Sequence, residues 1–189
     1  MIRQMLRALI GLFLFATAHN VSAQSDYPFV AEDFEVPEGL ATEDFGLRML
    51  SVNDVVKDFE AVMASKENLL ALFPGGSNWP EGLTLEANLI DLGWHQKEFQ
   101  RRTSFTYTVV SPDGSKVLGC VYILPTRKVG YDAAITFWAR ESDQGDRADR
   151  ALEEAVRAWI AAEWPFANPA FPGRDIAWEE WNALETMQR

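Results

Sequence analysis

The stretch "SFTYTVVSPDGSKVLGCVYIL", residues 104–124, constrains the fold of this chain more than any other. Its two flanks are rich in β-branched and aromatic side chains, which suit a pleated surface. Between them "SPDG", residues 111–114, places proline and glycine where a four-residue turn accepts them. The flanks therefore read as an antiparallel hairpin. A third run of the same kind, "YDAAITFWAR" at 131–140, follows a short break. It leads through "ESDQGDRA" into a helix over residues 149–163. The chain must accommodate a three-strand meander that feeds a helix.

Upstream, "FGLRMLS" at 45–51 alternates apolar and polar residues and reads as a first strand. Asn53 or Asp54 can cap the helix that follows, "DVVKDFEAVMASKENLLALF", with Val55, Phe59, Val62 and Met63 on one face. "PGGSNWP" breaks that pattern. Thr84 opens a further helix in which Leu85, Leu89, Leu92 and Phe99 recur at helical spacing and whose end is basic. After residue 163, proline-rich "PFANPAFPG" leads to a short strand, "DIAW", and a last segment, "EEWNALETMQR". The expected order is β, two or three helices, β-β-β, α, β, α, with no internal repeat.

The first 23 residues carry Arg3 and Arg7, an apolar run over 8–18, and Val21-Ser22-Ala23, a small-x-small site suited to cleavage before Gln24. This is the pattern of a secretory signal peptide. The apolar run is well short of the ~20 residues that span a bilayer. The expectation is export to the periplasm or the extracellular space, with no membrane association after cleavage. Residues 24–44 are acidic, carry Pro28 and Pro37, and read as an extended arm; residues 45–189 then form a single domain. The formal charge of −11 becomes more negative once the two leader arginines are removed, which argues against nucleic acid as a partner. One cysteine, Cys120, forms no internal disulfide, so the core must hold the domain.

The segments "FTYTVVSPDGSKVLGCVYI" and "AITFWARESDQGDRADRALEEAVRAWI", with residues 45–51 as a leading strand, resemble the GCN5-related N-acetyltransferase (GNAT) family in order and pattern. The resemblance implies an α/β fold with a mixed, mostly antiparallel sheet flanked by helices. It also implies transfer of an acetyl group from acetyl coenzyme A to a primary amine. The third and fourth strands, residues 116–124 and 131–140, should then splay apart beside residues 143–149 to form the cofactor cleft. The family's loop, of the form Q/R-x-x-G-x-G/A, presents backbone N–H groups and a helix N-terminus to a pyrophosphate. Laid on this chain, the motif puts Gln144 in first position, Arg147 where the first glycine belongs, and Asp149 where the glycine or alanine belongs.

On that resemblance the cofactor-binding residues are Trp138, Ala139 and Arg140 through the strand backbone, and Gln144, Gly145, Arg147 and Arg150 at the turn. Glu141 is the candidate base that takes the amine's proton, since only the neutral amine attacks the thioester. The residues themselves leave a second reading open. Asp143, Asp146 and Asp149 bring negative charge to the place a phosphate would occupy, and like charges oppose each other there. Two further departures point the same way: the chain after residue 177 is too short for a helix and a closing hairpin, and "EEWNALETMQR" lacks the tyrosine that many members use as a general acid. The alternative is an exported, non-catalytic domain of the same fold that binds a protein partner or small ligand.

Other chemistry finds less support. His95, the histidine left after leader removal, is read as a surface or packing residue, and without a cysteine cluster no metal site is expected. Cys120 is read as a small apolar filler within its strand. No G-x-S-x-G elbow and no P-loop is present. The tryptophans, among them Trp79, Trp94, Trp164, Trp178 and Trp181, are read as core or as seals at a terminus.

Overall fold

A computed structural model describes residues 28–74, 78–141 and 146–188. The expected signal peptide and the turn residues Asp143, Gln144 and Gly145 lie outside the described residues. Six strands form one sheet in sequential order: β1 (Gly39–Ala41), β2 (Gly46–Met49), β3 (Phe105–Val110), β4 (Val117–Pro125), β5 (Ala133–Ala139) and β6 (Pro169–Ala170). Neighbours are antiparallel except β5 and β6, which run parallel. The helices are α1 (Val55–Ala64), α2 (Lys66–Leu72), α3 (Leu85–Arg101), α4 (Asp146–Glu163) and α5 (Trp178–Ala183).

The expected hairpin is β3 and β4, and its turn is fixed by Asp113, whose carboxylate accepts from the Ser111 and Ser115 hydroxyls and from the Ser115 N–H. These bonds hold the exposed Asp113 carboxyl down at a pKa of about 2. Near its start β4 carries a bulge: Val110 pairs with Val117 and Val109 with Gly119, leaving Leu118 as the extra residue. Gly119 adopts φ +150°, and a Cβ there would lie 2.0 Å from the Trp138 carbonyl oxygen. Only glycine fits this close approach.

Strand alternation sorts the core into two faces. Phe105, Tyr107, Val121, Ile123, Ile135 and Phe137 pack beneath α4, whose Leu152, Val156, Trp159 and Ile160 recur at helical spacing. Residues read as an arm complete that face: Phe29 stacks on Phe166, Phe34 lies against Trp164, and Gly39–Ala41 pairs with β2 as the edge strand. The other face carries Val117, Cys120 and Trp138 beneath α1 and α3, with Leu50, Val62, Leu69 and Leu92. Cys120 is buried there, as a filler.

Four local expectations are corrected. The helix read over residues 54–73 is two helices, broken at the wholly buried Ser65. Met63, Leu85 and Leu89 are exposed rather than core, because α3 turns Asn88 and Leu92 toward α1 and the sheet. "DIAW" is not a strand of the sheet: Ile176 makes one isolated bridge to Pro172, and Pro169–Ala170 takes the edge position instead. The third and fourth strands of the expected cleft, β4 and β5, do not splay. They pair from Gly119↔Ala139 to Pro125↔Ala133, because a short antiparallel connection keeps them in register. The opening lies on the far side of β5, where only Ala133 and Ala134 pair with β6. No described helix is long and apolar enough to cross a membrane.

Candidate functional site

Beyond Ala134, the outer edge of β5 pairs with no strand among the described residues, and it is called the free edge below. The Arg140 N–H donates to the Leu118 carbonyl at 2.7 Å, toward β4. Strand alternation therefore turns the backbone groups of Trp138 toward β4 and those of Phe137 and Ala139 toward the free edge. Of the three residues expected to present backbone there, Ala139 does so. Trp138 is fully buried on the α1 and α3 face, where its indole Nε1 donates to the Tyr122 hydroxyl at 3.3 Å.

The end of β5 is pinned from outside the sheet. The Glu141 N–H donates to the Ser65 hydroxyl at 2.9 Å, so the break between α1 and α2 fixes where β5 leaves the sheet. Ser65 had no signal in the sequence beyond being a serine within an otherwise helical run. Glu141 itself is exposed and lines two cavities that meet at residues 139–141.

The larger cavity, about 580 Å³, lies between the start of α4 and strands β2 to β5. Leu118, aimed by the bulge, forms part of its wall together with Phe45, Val109 and Leu152; Lys116, Arg140 and Arg147 bring positive charge, and Asp44, Glu60 and Glu141 negative. The smaller cavity, about 360 Å³, follows the free edge of β5 and is bounded by Glu67, Glu141, Asp146 and Asp149 against Arg140 and Arg174. Of the expected cofactor residues, Ala139 and Arg140 touch both cavities and Arg147 the larger one. Arg150 points to solvent, 3.9 Å from Asp146, and lines neither.

Asp149 is engaged by a residue that sequence reading passed over. Arg174 grips it (Nη2 to Oδ1, 2.8 Å), reaches Glu153 at 3.2 Å, and lies over the Phe137 ring at 4.5 Å. The bond to Asp149 outweighs burial and raises the Arg174 pKa further, so this cation is permanent. A second arginine, Arg157, ties Glu153 to Asp175 at 2.7 and 2.8 Å. Together they clasp the segment after β6 to the first turns of α4. Among the described residues no group of His, Cys, Asp and Glu is disposed to hold a metal ion.

A mixed six-stranded sheet flanked by helices, with α4 between β5 and the parallel β6, agrees with the GCN5-related N-acetyltransferase fold. Solved structures bear this out. A ribosomal-protein-S5-alanine acetyltransferase from Vibrio fischeri superposes with a TM-score of 0.51 at 18% identity, over 68% of this chain and 69% of that one. The microcin C7 self-immunity acetyltransferase MccE, solved with acetyl-CoA and AMP, gives 0.51 at 13% identity over 68% and 70%. The ribosomal L7/L12 alpha-N-protein acetyltransferase RimL gives 0.50 at 18% over 67% and 69%. The chain has the acetyltransferase fold. No protein-family model matches it, and no curated protein does so by sequence.

Proposed function

We propose that this protein binds acetyl-CoA along the free edge of β5 and transfers the acetyl group to a primary amine. The observation that carries this reading is the edge over Phe137 and Ala139, which among the described residues has no strand partner. Backbone groups there suit the amide-bearing arm of the cofactor, as an added strand would. Lys116, Arg140 and Arg147 supply the positive charge that its phosphates require. Acetyl-CoA would supply the activated thioester. Glu141, exposed where the two cavities meet, is placed to accept the proton of the incoming ammonium. Its backbone is held by Ser65, which anchors the residue at the end of β5.

The test is calorimetric titration with acetyl-CoA and with coenzyme A. The expected result is micromolar binding that Arg140→Ala with Arg147→Ala weakens at least tenfold. No heat at millimolar cofactor overturns the reading.

A second reading has its own observation. Glu67, Glu141, Asp146 and Asp149 crowd the smaller cavity, and the Arg174 guanidinium is taken up by Asp149 and Glu153. That arrangement opposes a pyrophosphate. It suits a domain that keeps the fold without the catalysis and works outside the cytoplasm, where acetyl-CoA is not made, on a protein partner or small ligand. We propose export on the strength of the leader sequence; N-terminal sequencing of the mature protein should begin at Gln24. A mature protein that retains residues 1–23 would sink the export proposal without touching the catalytic one.

A further inference from the structure

On the face of the sheet opposite α4, helices α1 and α3 and strand β4 border another cavity, open to solvent and of about 390 Å³. That is within the range of sites for small organic molecules. Its apolar walls include Phe73, Trp79 and Tyr122, and its polar groups are Asp58, Asn88, Asp91 and His95; among the described residues no lysine or arginine lines it. Asp58 is 3% exposed, yet the donors that reach it are neutral: Asn88 Nδ2 at 2.9 Å and Cys120 Sγ at 3.5 Å. Among the described residues no lysine or arginine pairs with it; His95, on the same cavity, is the one positive group that acts on it, and its influence is the smallest of those on Asp58. The Asn88 amide gives its hydrogens to Asp58 and to the Val55 carbonyl, at 3.3 Å, so its oxygen remains an acceptor. Asp91 stands at the exposed rim. The cavity therefore offers carboxylates, an amide oxygen and aromatic faces, all of which favour positive charge. A buried carboxylate whose hydrogen-bond donors are all neutral is costly to keep unless a cation arrives to meet it.

We propose that this cavity binds a small organic ammonium ion, its charge met by Asp58 and Asp91 and its carbon substituents packed against Trp79, Phe73 and Tyr122. Nothing in this depends on acetyl-CoA binding at β5. Size and wall chemistry set the class: a few carbons on one charged nitrogen, too small for a peptide.

The probes are choline, n-butylamine and 3,3-dimethyl-1-butanol, the uncharged isostere of choline, titrated at pH 7 into the purified protein and followed by calorimetry and tryptophan fluorescence. At least one ammonium should bind at millimolar concentration or better, while the uncharged alcohol should bind at least tenfold more weakly. Asp58→Asn and Trp79→Ala should each weaken the ammonium at least tenfold. Asp91→Asn, at an exposed position that leaves the core intact, should weaken it severalfold and decides the matter if Asp58→Asn fails to fold. Equal binding of the alcohol, absence of ammonium binding, or indifference to the Asp91 and Asp58 changes would overturn the proposal.

Discussion

Asp58 shows how one residue can set a pH dependence. Burial is the largest influence on it, and it raises the carboxyl's pKa against the lowering effects of Asn88 and Cys120. The folded protein therefore holds this proton more tightly than the unfolded chain, whose carboxyl titrates near 3.8. The sign follows: the native state is not penalised below that value, and it loses stability as pH rises from there through the folded pKa. Asp58→Asn, measured without ligand, should raise the thermal midpoint at pH 7. The gain should vanish near pH 4; a gain independent of pH would refute this account. Gly119 supplies the opposite case. Gly119→Ala meets both a positive φ and the Trp138 carbonyl, so it should cost at least about 1–3 kcal/mol in urea denaturation.

At the scale of elements, two side chains decide where helices begin and end. Thr84 has extended backbone and its hydroxyl accepts from the Ala87 N–H, capping α3. Thr84→Ala should cost about 0.5–2 kcal/mol, and equilibrium denaturation measures it directly. Ser65 acts between elements, since its hydroxyl receives the Glu141 N–H across 76 residues of sequence. Ser65→Ala should cost about 1–3 kcal/mol by stranding that donor. If Glu141 is the base, acetyl transfer should slow in kcat more than in KM, while a purely structural Ser65 would leave the residual turnover of folded protein unchanged.

At the scale of the whole molecule, the segment before β1 belongs to the core. The Tyr107 hydroxyl donates to the Pro37 carbonyl at 2.6 Å, and Arg102 Nη2 donates to the Ala31 and Phe34 carbonyls at 2.6 and 2.8 Å. A chain lacking residues 1–37 loses those bonds and uncovers Phe105 and Trp164, so its stability should fall by more than about 3 kcal/mol. A truncated chain with an unchanged denaturation midpoint would show that the segment merely lies on the surface.

The meander, the helix after it and the Thr84 cap were legible in the sequence because each is written in local chemistry: alternation, turn residues and 3.6-residue spacing act over a few neighbours. The same locality made the resemblance to an acetyltransferase readable from residues 105–160. The resemblance also marked Ala139, Arg140, Glu141 and Arg147, which line the adjoining cavities at the end of β5, together with Trp138 and Arg150, which do not. It misplaced the cleft, because β6 contributes two residues whose pairing with Ala133 and Ala134 depends on how α4 returns the chain to the sheet. Sequence reading passed over Arg174, whose partners Asp149 and Glu153 come from a different element, and it read the surroundings of Asp58 as ordinary helix. Those positions are fixed by contacts tens of residues apart, which carry no periodic signal. Local preference chose the elements; only packing decided which edge of β5 has no strand partner among the described residues and which carboxyl was buried among neutral hydrogen-bond donors.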